Sequence, residues 1–333
     1  MVREPQSGFF RACMTLLATL LVATRLPCKA ETASDPISVA ERALMLGRVD
    51  DTINILNPLI TANAFNGPAH LLLCRAFYSE DHADEAISEC ESALSNGLRG
   101  NSVAQDWMGR AYGKKADGAG PFAGLKLARK VKDAFEAAVK LDPHNPDAID
   151  DLADYYIQAP SIVGGGVLRA AALAARISAY LPERAQRIRA LIAEKKKDNG
   201  TAEREFRAIA EAHPDRPDGW IDLASFFVRT KADDKAVEAI RRGIAVNTRR
   251  DPSLFQGSLL LIQMQRELQL AQQALRLYLT GGAMTDGAPA FKAHDALGKL
   301  LSGAGNRAAA RSEHLAAFSL AADYGPTRSA LAQ

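Results

Sequence analysis

Between Pro217 and Asp251 apolar residues recur at helical spacing twice, with a polar break between the two runs. Trp220, Leu223, Ala224 and Phe227 follow the i, i+3, i+4, i+7 spacing of one helical face. Lys231–Asp234 interrupts that face. Ala236, Ile240 and Gly243 then resume it, with small residues where a partner helix must come close. The pattern predicts two helices of similar length joined by a polar turn.

The same alternation runs along most of the chain. Ile37–Asn63 carries Val39, Ala40 and Ala43, a turn at Gly47, then Ile53, Leu56 and Leu59, with Pro58 expected to bend or shorten the second helix. Gly67–Asn96 sets Leu73, Cys74 and Phe77 against Ala86, Cys90 and Ala93. Ser102–Pro143, Pro146–Pro182, Glu183–Pro214, Asp251–Leu279 and Phe291–Leu320 keep the phase, the sixth of these seven with a Gln-rich gap between its helices. Two units hold enlarged turns, Gly113–Gly124 (GKKADGAGPFAG) and Ala159–Gly166 (APSIVGGG). Equivalent turns of stacked units share one edge, so these two are expected to be neighbouring recognition loops. Gly118, Gly120, Pro121 and Phe122 form the tip of one, and Pro160, Gly164, Gly165 and Gly166 that of the other.

The order large-x-x-large-small-x-x-aromatic, then small-x-x-x-large-x-x-small, at a 34-residue period, resembles the tetratricopeptide repeat (TPR) superfamily. The resemblance covers nearly all of the chain after residue 30, in about eight units starting near residues 33, 67, 102, 146, 183, 217, 252 and 291. It implies an all-α, right-handed α-solenoid whose first helices line a concave groove for a peptide or protein partner. The groove-facing positions would be Arg75, Tyr78, Asp106, Arg110, Lys114, Asp150, Asp154 and Arg187. They lack the recurring Lys/Asn pair with which TPR domains grip a C-terminal carboxylate, so that mode is not expected. Asp147, Asp150, Asp151 and Asp154 make an acidic band that either meets a basic partner segment or is a plain solvated face. The YYIQAPSIVGGG segment is similar to one in exported bacterial TPR proteins.

Length alone would suggest about two domains. A repeat array overrides that, because each unit buries its apolar face only against its neighbours. Ala12–Thr24 is an unbroken apolar run after Arg3 and Arg11, shorter than the roughly 20 residues a bilayer needs. It suits a signal peptide spanning residues 1–30 and cleaved after Cys28-Lys29-Ala30. Export to a bacterial periplasm or cell envelope is therefore expected; an uncleaved anchor is the alternative, with membrane contact only through this segment. Cys28 lacks the small residue that a lipobox places before it. Loss of this segment takes the balance from 41 Lys+Arg against 39 Asp+Glu to 37 against 38, with no clustered basic face for nucleic acid.

Chemistry leaves few marks. The six histidines are scattered, without H-E-x-x-H, and no cysteine pair has zinc-site spacing. The glycines near Lys126 lack the Gly-Lys-Ser/Thr ending of a phosphate loop and follow a helix rather than a strand. No cofactor, metal or catalytic constellation is expected, and the chain reads as non-enzymatic. Cys74 and Cys90 face one another across a helix seam. In an oxidising compartment they are candidates for a disulfide, and otherwise a pair of small buried apolar residues. The functional expectation is a non-catalytic protein–protein interaction scaffold. The alternative is an accessory or substrate-binding module of an envelope polysaccharide or lipid system. A glycan site would need exposed groove aromatics, and Tyr78 is the one candidate.

Overall fold

The computed structural model describes residues 35–281 and 285–332; the export-signal expectation and Cys28 lie outside that range. The described residues contain helices and no strand. Sixteen helices form eight antiparallel pairs: α1 (Pro36–Met45) with α2 (Val49–Ala62), α3 (Gly67–Ser79) with α4 (Ala83–Ala93), α5 (Ser102–Asp117) with α6 (Pro121–Leu141), α7 (Pro146–Gln158) with α8 (Val167–Ile177), α9 (Pro182–Lys195) with α10 (Asn199–Ala212), α11 (Pro217–Arg229) with α12 (Asp233–Val246), α13 (Ser253–Met264) with α14 (Leu268–Leu279), and α15 (Ala290–Gly303) with α16 (Arg307–Phe318). A short α17 (Gly325–Leu331) follows. The all-α solenoid that the periodicity predicts is the fold observed.

Local signals start these helices. Asp35, Asn66, Asn101, Asn145, Asp198 and Asn306 each accept a hydrogen bond from the backbone of the turn they cap. Proline in the first turn of α1, α3, α6, α7, α9 and α11 begins a helix where its missing N–H has no partner to lose. Pro58 does not shorten α2, which runs on to Ala62.

Within a pair, small residues let the helices approach. A Cβ added at Gly109 of α5 would lie 2.4 Å from the Phe135 ring of α6. Gly109→Ala is therefore expected to destabilise by about 1–3 kcal/mol, because the buried ring must move. Gly113→Ala, one turn on in the same helix and in open space, is expected to stabilise by up to about 1 kcal/mol. Urea midpoints of the two variants should move in opposite directions; movement in the same direction refutes the packing account.

One enlarged turn is not a loop. α5 continues to Asp117 and α6 begins at Pro121, so only residues 118–120 are non-helical. Lys114 and Lys115 hold the extra helical turn by ion pairs to Asp81 and Asp84 of the preceding pair. Gly118 and Gly120 thus cap helices, and Pro121 and Phe122 open α6. The second insertion is a true loop. Gly164 and Gly166 take φ of 91° and 143°, and a Cβ at Gly165 would lie 1.9 Å from the Ala159 carbonyl oxygen. This loop packs at Gly164 on Lys132, well along α6 from the tip at Phe122, so the two insertions flank one helix rather than meet tip to tip.

The array does not end free. Phe291, Ala317, Ala321 and Tyr324 share one core with Ala40, Leu44, Leu56 and Leu72 of the first two pairs. The Asp50 N–H donates to the Leu320 carbonyl at 3.1 Å, and the Ala322 N–H donates to the Asp50 carboxylate at 3.0 Å. Arg75 donates to Asp286 at 2.6 Å and Lys292 to Asp81 at 3.1 Å. Each terminal pair of a repeat array has an apolar face without a neighbour. Here Phe291, Ala317 and residues 320–324 cover apolar side chains of the first two pairs, with Tyr324 edge-on to Phe291 at 4.9 Å.

Candidate functional site

The first helices α3, α5, α7 and α9 carry the eight predicted groove residues, which engage one another and charged or aromatic neighbours on adjacent helices. The guanidinium groups of Arg75 and Arg110 lie 5.6 and 4.7 Å from the Trp107 ring centre. Tyr78 stands edge-on to that ring at 5.3 Å, with the Lys114 ammonium 4.6 Å over its own face. Arg110 bridges Asp106 at 3.1 Å and Asp151 at 2.5 Å. Arg184 pairs with Asp150, and Arg187 with Asp222 at 3.1 Å and Asp154 at 3.7 Å.

The electrostatics are those of a half-buried ladder. Burial pushes the Asp154 carboxyl up to about 6, with Arg187 pulling the other way. Burial likewise raises Asp106 and Asp222 against their arginine partners. For Arg187, burial works against the charge, but Asp222, Asp154 and Asp150 outweigh it and the guanidinium is held more firmly protonated. Three members of the acidic band, Asp150, Asp151 and Asp154, are thus spent on arginines of neighbouring first helices. The band is neither a bare solvated face nor an open dock for a basic segment. Opposite charges 34 or 35 residues apart, Asp150 and Arg184 or Arg187 and Asp222, were the sequence signal for this pairing.

The least satisfied surface on this side lies elsewhere. Between the seventh and eighth pairs opens a cleft of about 650 Å³, lined by Phe255, Leu259 and Ile262 of α13, Leu300 of α15 and Tyr324. Leu259 is 40% exposed. Gln269 and Gln272 of α14 stand at its rim, together with Lys292. The connection from Leu279 to Ala290 is longer than the links between other pairs and gives α15 room to stand off from α13. A larger hollow of about 820 Å³ beside α16 and α17 is polar, with Lys299, Arg307 and Arg311 in its wall. Sequence reading noted the Gln-rich gap but not that it borders an open apolar floor.

Cys74 and Cys90 are joined as a disulfide between α3 and α4, Cα to Cα 5.2 Å. His70 and His294 occupy equivalent posts, each 19 residues before the glutamate it meets, Glu89 at 2.6 Å and Glu313 at 2.7 Å. His314 is buried against Asp295 at 3.4 Å. Among the described residues no group of His, Cys, Asp and Glu is arranged to hold a metal ion. No helix among them is long and apolar enough to cross a membrane.

No protein-family model and no curated protein matches the sequence. Among solved structures, yeast Tom70 is similar at TM-score 0.52 and 12% identity, over 91% of this chain and 65% of that one. A tetratricopeptide repeat protein from Parabacteroides merdae ATCC 43184 is similar at TM-score 0.44 and 14% identity, over 89% of this chain and 96% of that one. YrrB, described as a TPR protein with an unusual peptide-binding site, is similar at TM-score 0.37 and 15% identity, over 63% of this chain and 97% of its own. The likeness is one of fold.

Proposed function

We propose that this chain, a solenoid of the tetratricopeptide-repeat fold, is a protein-interaction scaffold that receives an extended partner segment in the cleft between its last two helix pairs. One observation carries the reading: on a face whose charges are paired internally, this cleft alone among the described features combines an open apolar floor with free amide side chains at its rim. Burying a partner's aliphatic or aromatic side chain there yields about 25 cal/mol per Å² of apolar surface removed from water. Gln269 and Gln272 offer donors and acceptors to an extended backbone.

The remaining features support a non-catalytic role in an exported protein. The charged and histidine side chains of the inner face hold helices together instead of converging on one point. A disulfide suits an oxidising compartment, which together with the apolar run Ala12–Thr24 favours the bacterial periplasm or envelope. Phe122, 91% exposed at the α5–α6 tip, provides a second point of contact. The glycan version of the accessory-module reading loses its aromatic, because Tyr78 is committed to Trp107 and Lys114.

Leu259→Asp places a charge on the cleft floor at a half-open position and is expected to weaken partner capture at least tenfold with the melting temperature nearly unchanged. The measurement is photo-crosslinking from Leu268, at the cleft rim, in intact cells, in proteins with and without the substitution, followed by mass spectrometry of the adducts. Equal protein adducts in both sink the cleft as the docking site. Acyl-lipid adducts in place of protein transfer it to the lipid reading.

A further inference from the structure

At the join between the two ends of the array stand three carboxylates from three distant stretches: Asp50 accepts from the Ala322 N–H, next to Asp323, and Glu80 precedes Asp81, which pairs with Lys292 across the join. Asp50 comes from the start of α2, Glu80 from the end of α3 and Asp323 from the turn between α16 and α17. Glu80 is 2% exposed, and its Oε1 has no hydrogen-bond partner. An isolated buried carboxylate is costly to leave charged and unpaired. We propose that this join is a proton-operated clasp, tight when the Glu80 carboxyl is neutral and slackened when it ionises between Asp50 and Asp323.

The neighbours of Glu80 leave a proton as the means of neutralising it. Asp50 already accepts from the Ala322 N–H, and Asp323 pairs with Arg328 at the surface. Asp81, next in the chain, takes both nearby ammonium groups, Lys114 and Lys292. No cation faces the Glu80 carboxyl among the described residues, and no described acidic cluster is arranged to hold a metal. Burial first, then the charges of Asp50 and Asp323, push Glu80 from its ordinary 4.5 up to about 7, with the Asp323 backbone N–H opposing them.

The sign follows from linkage. The closed form binds the proton more tightly than the open form. Closure is therefore fully favoured below about pH 4.5 and loses ground as pH rises, until the closed-state value near 7 is passed. Between pH 6 and pH 8 the closing equilibrium should weaken about tenfold. Lys292 and Tyr324 belong to both the join and the cleft wall, so slackening reshapes the cleft. That last consequence rests on the cleft being a docking site; the clasp itself is measured without any partner.

Two amides report the join directly, since the Asp50 N–H and the Ala322 N–H each bond across it. Hydrogen exchange of peptides containing residues 48–52 and 320–324 is compared, at each pH, between the native chain and Glu80→Gln, which is permanently neutral there. The ratio of native to variant exchange should rise about tenfold from pH 6 to pH 8, with peptides of α9 and α10 unchanged. A flat ratio overturns the clasp. Asp323→Asn removes one repelling charge and gives an independent reading should Glu80→Gln fold poorly: its opening midpoint should shift to lower pH, and an unmoved midpoint overturns the clasp as well.

Discussion

Phe291→Ala is expected to cost about 3–5 kcal/mol, and the damage should surface at both ends of the chain. The ring is fully buried, packs edge-on to Tyr324 and shares its core with Leu44 and Leu56, more than two hundred residues earlier. In a linear repeat array a cavity weakens its own unit and the neighbours on either side. Here the neighbour across the join is the first pair. Hydrogen exchange in the variant should therefore accelerate in α1–α3 together with α15–α17, while α9 and α10 keep their protection. Phe206→Ala, an equally buried deletion in α10, provides the contrast: its effect should stay central. Acceleration confined to α15 and α16 in the Phe291 variant would show that the ends are independent in solution.

The second large effect is covalent. Replacing both Cys74 and Cys90 by serine should lower stability by about 3 kcal/mol, the loop-closure value for a separation of 16 residues, with the burial of two hydroxyls added. The bridge encloses the turn bearing Glu80 and Asp81, so it fixes the second-pair contribution to the join as well as the α3–α4 seam. Both sulfurs are buried, and reductant should reach them only through opening. Thermal melts with and without reductant, paired with a thiol count on the denatured chain, test this. Two titratable thiols before reduction, or a double-serine variant with an unshifted melt, would contradict the prediction.

What could be read in advance follows the range of the interactions involved. Trp220, Leu223, Ala224 and Phe227 are buried as their spacing requires, since a helical face is a local property of the chain. Cys74 and Cys90 were placed by the same periodicity, one on each helix of a pair, although spacing left the bond itself undecided. The α5–α6 connection was misread because Gly113, Gly118 and Gly120 look like loop residues. A single glycine costs a helix only about 1 kcal/mol, which the reach of Lys114 and Lys115 to Asp81 and Asp84 offsets. The groove side chains were placed on one face, but their mutual pairing depends on which arginine rotamer reaches the next repeat. The join involves separations of 211 and 272 residues and carries no periodic mark at all.

Joining the ends also fixes how many units the protein can hold. Open solenoids gain or lose modules with little penalty, because an inserted copy meets the same neighbours as those beside it. A ninth copy spliced between α12 and α13 would satisfy every adjacent interface, yet would carry Phe291 and Tyr324 away from Leu44 and Leu56 and strand two greasy faces in water. The chain is thereby committed to one length, and lineages descending from it should vary in their turns and surfaces sooner than in their number of copies.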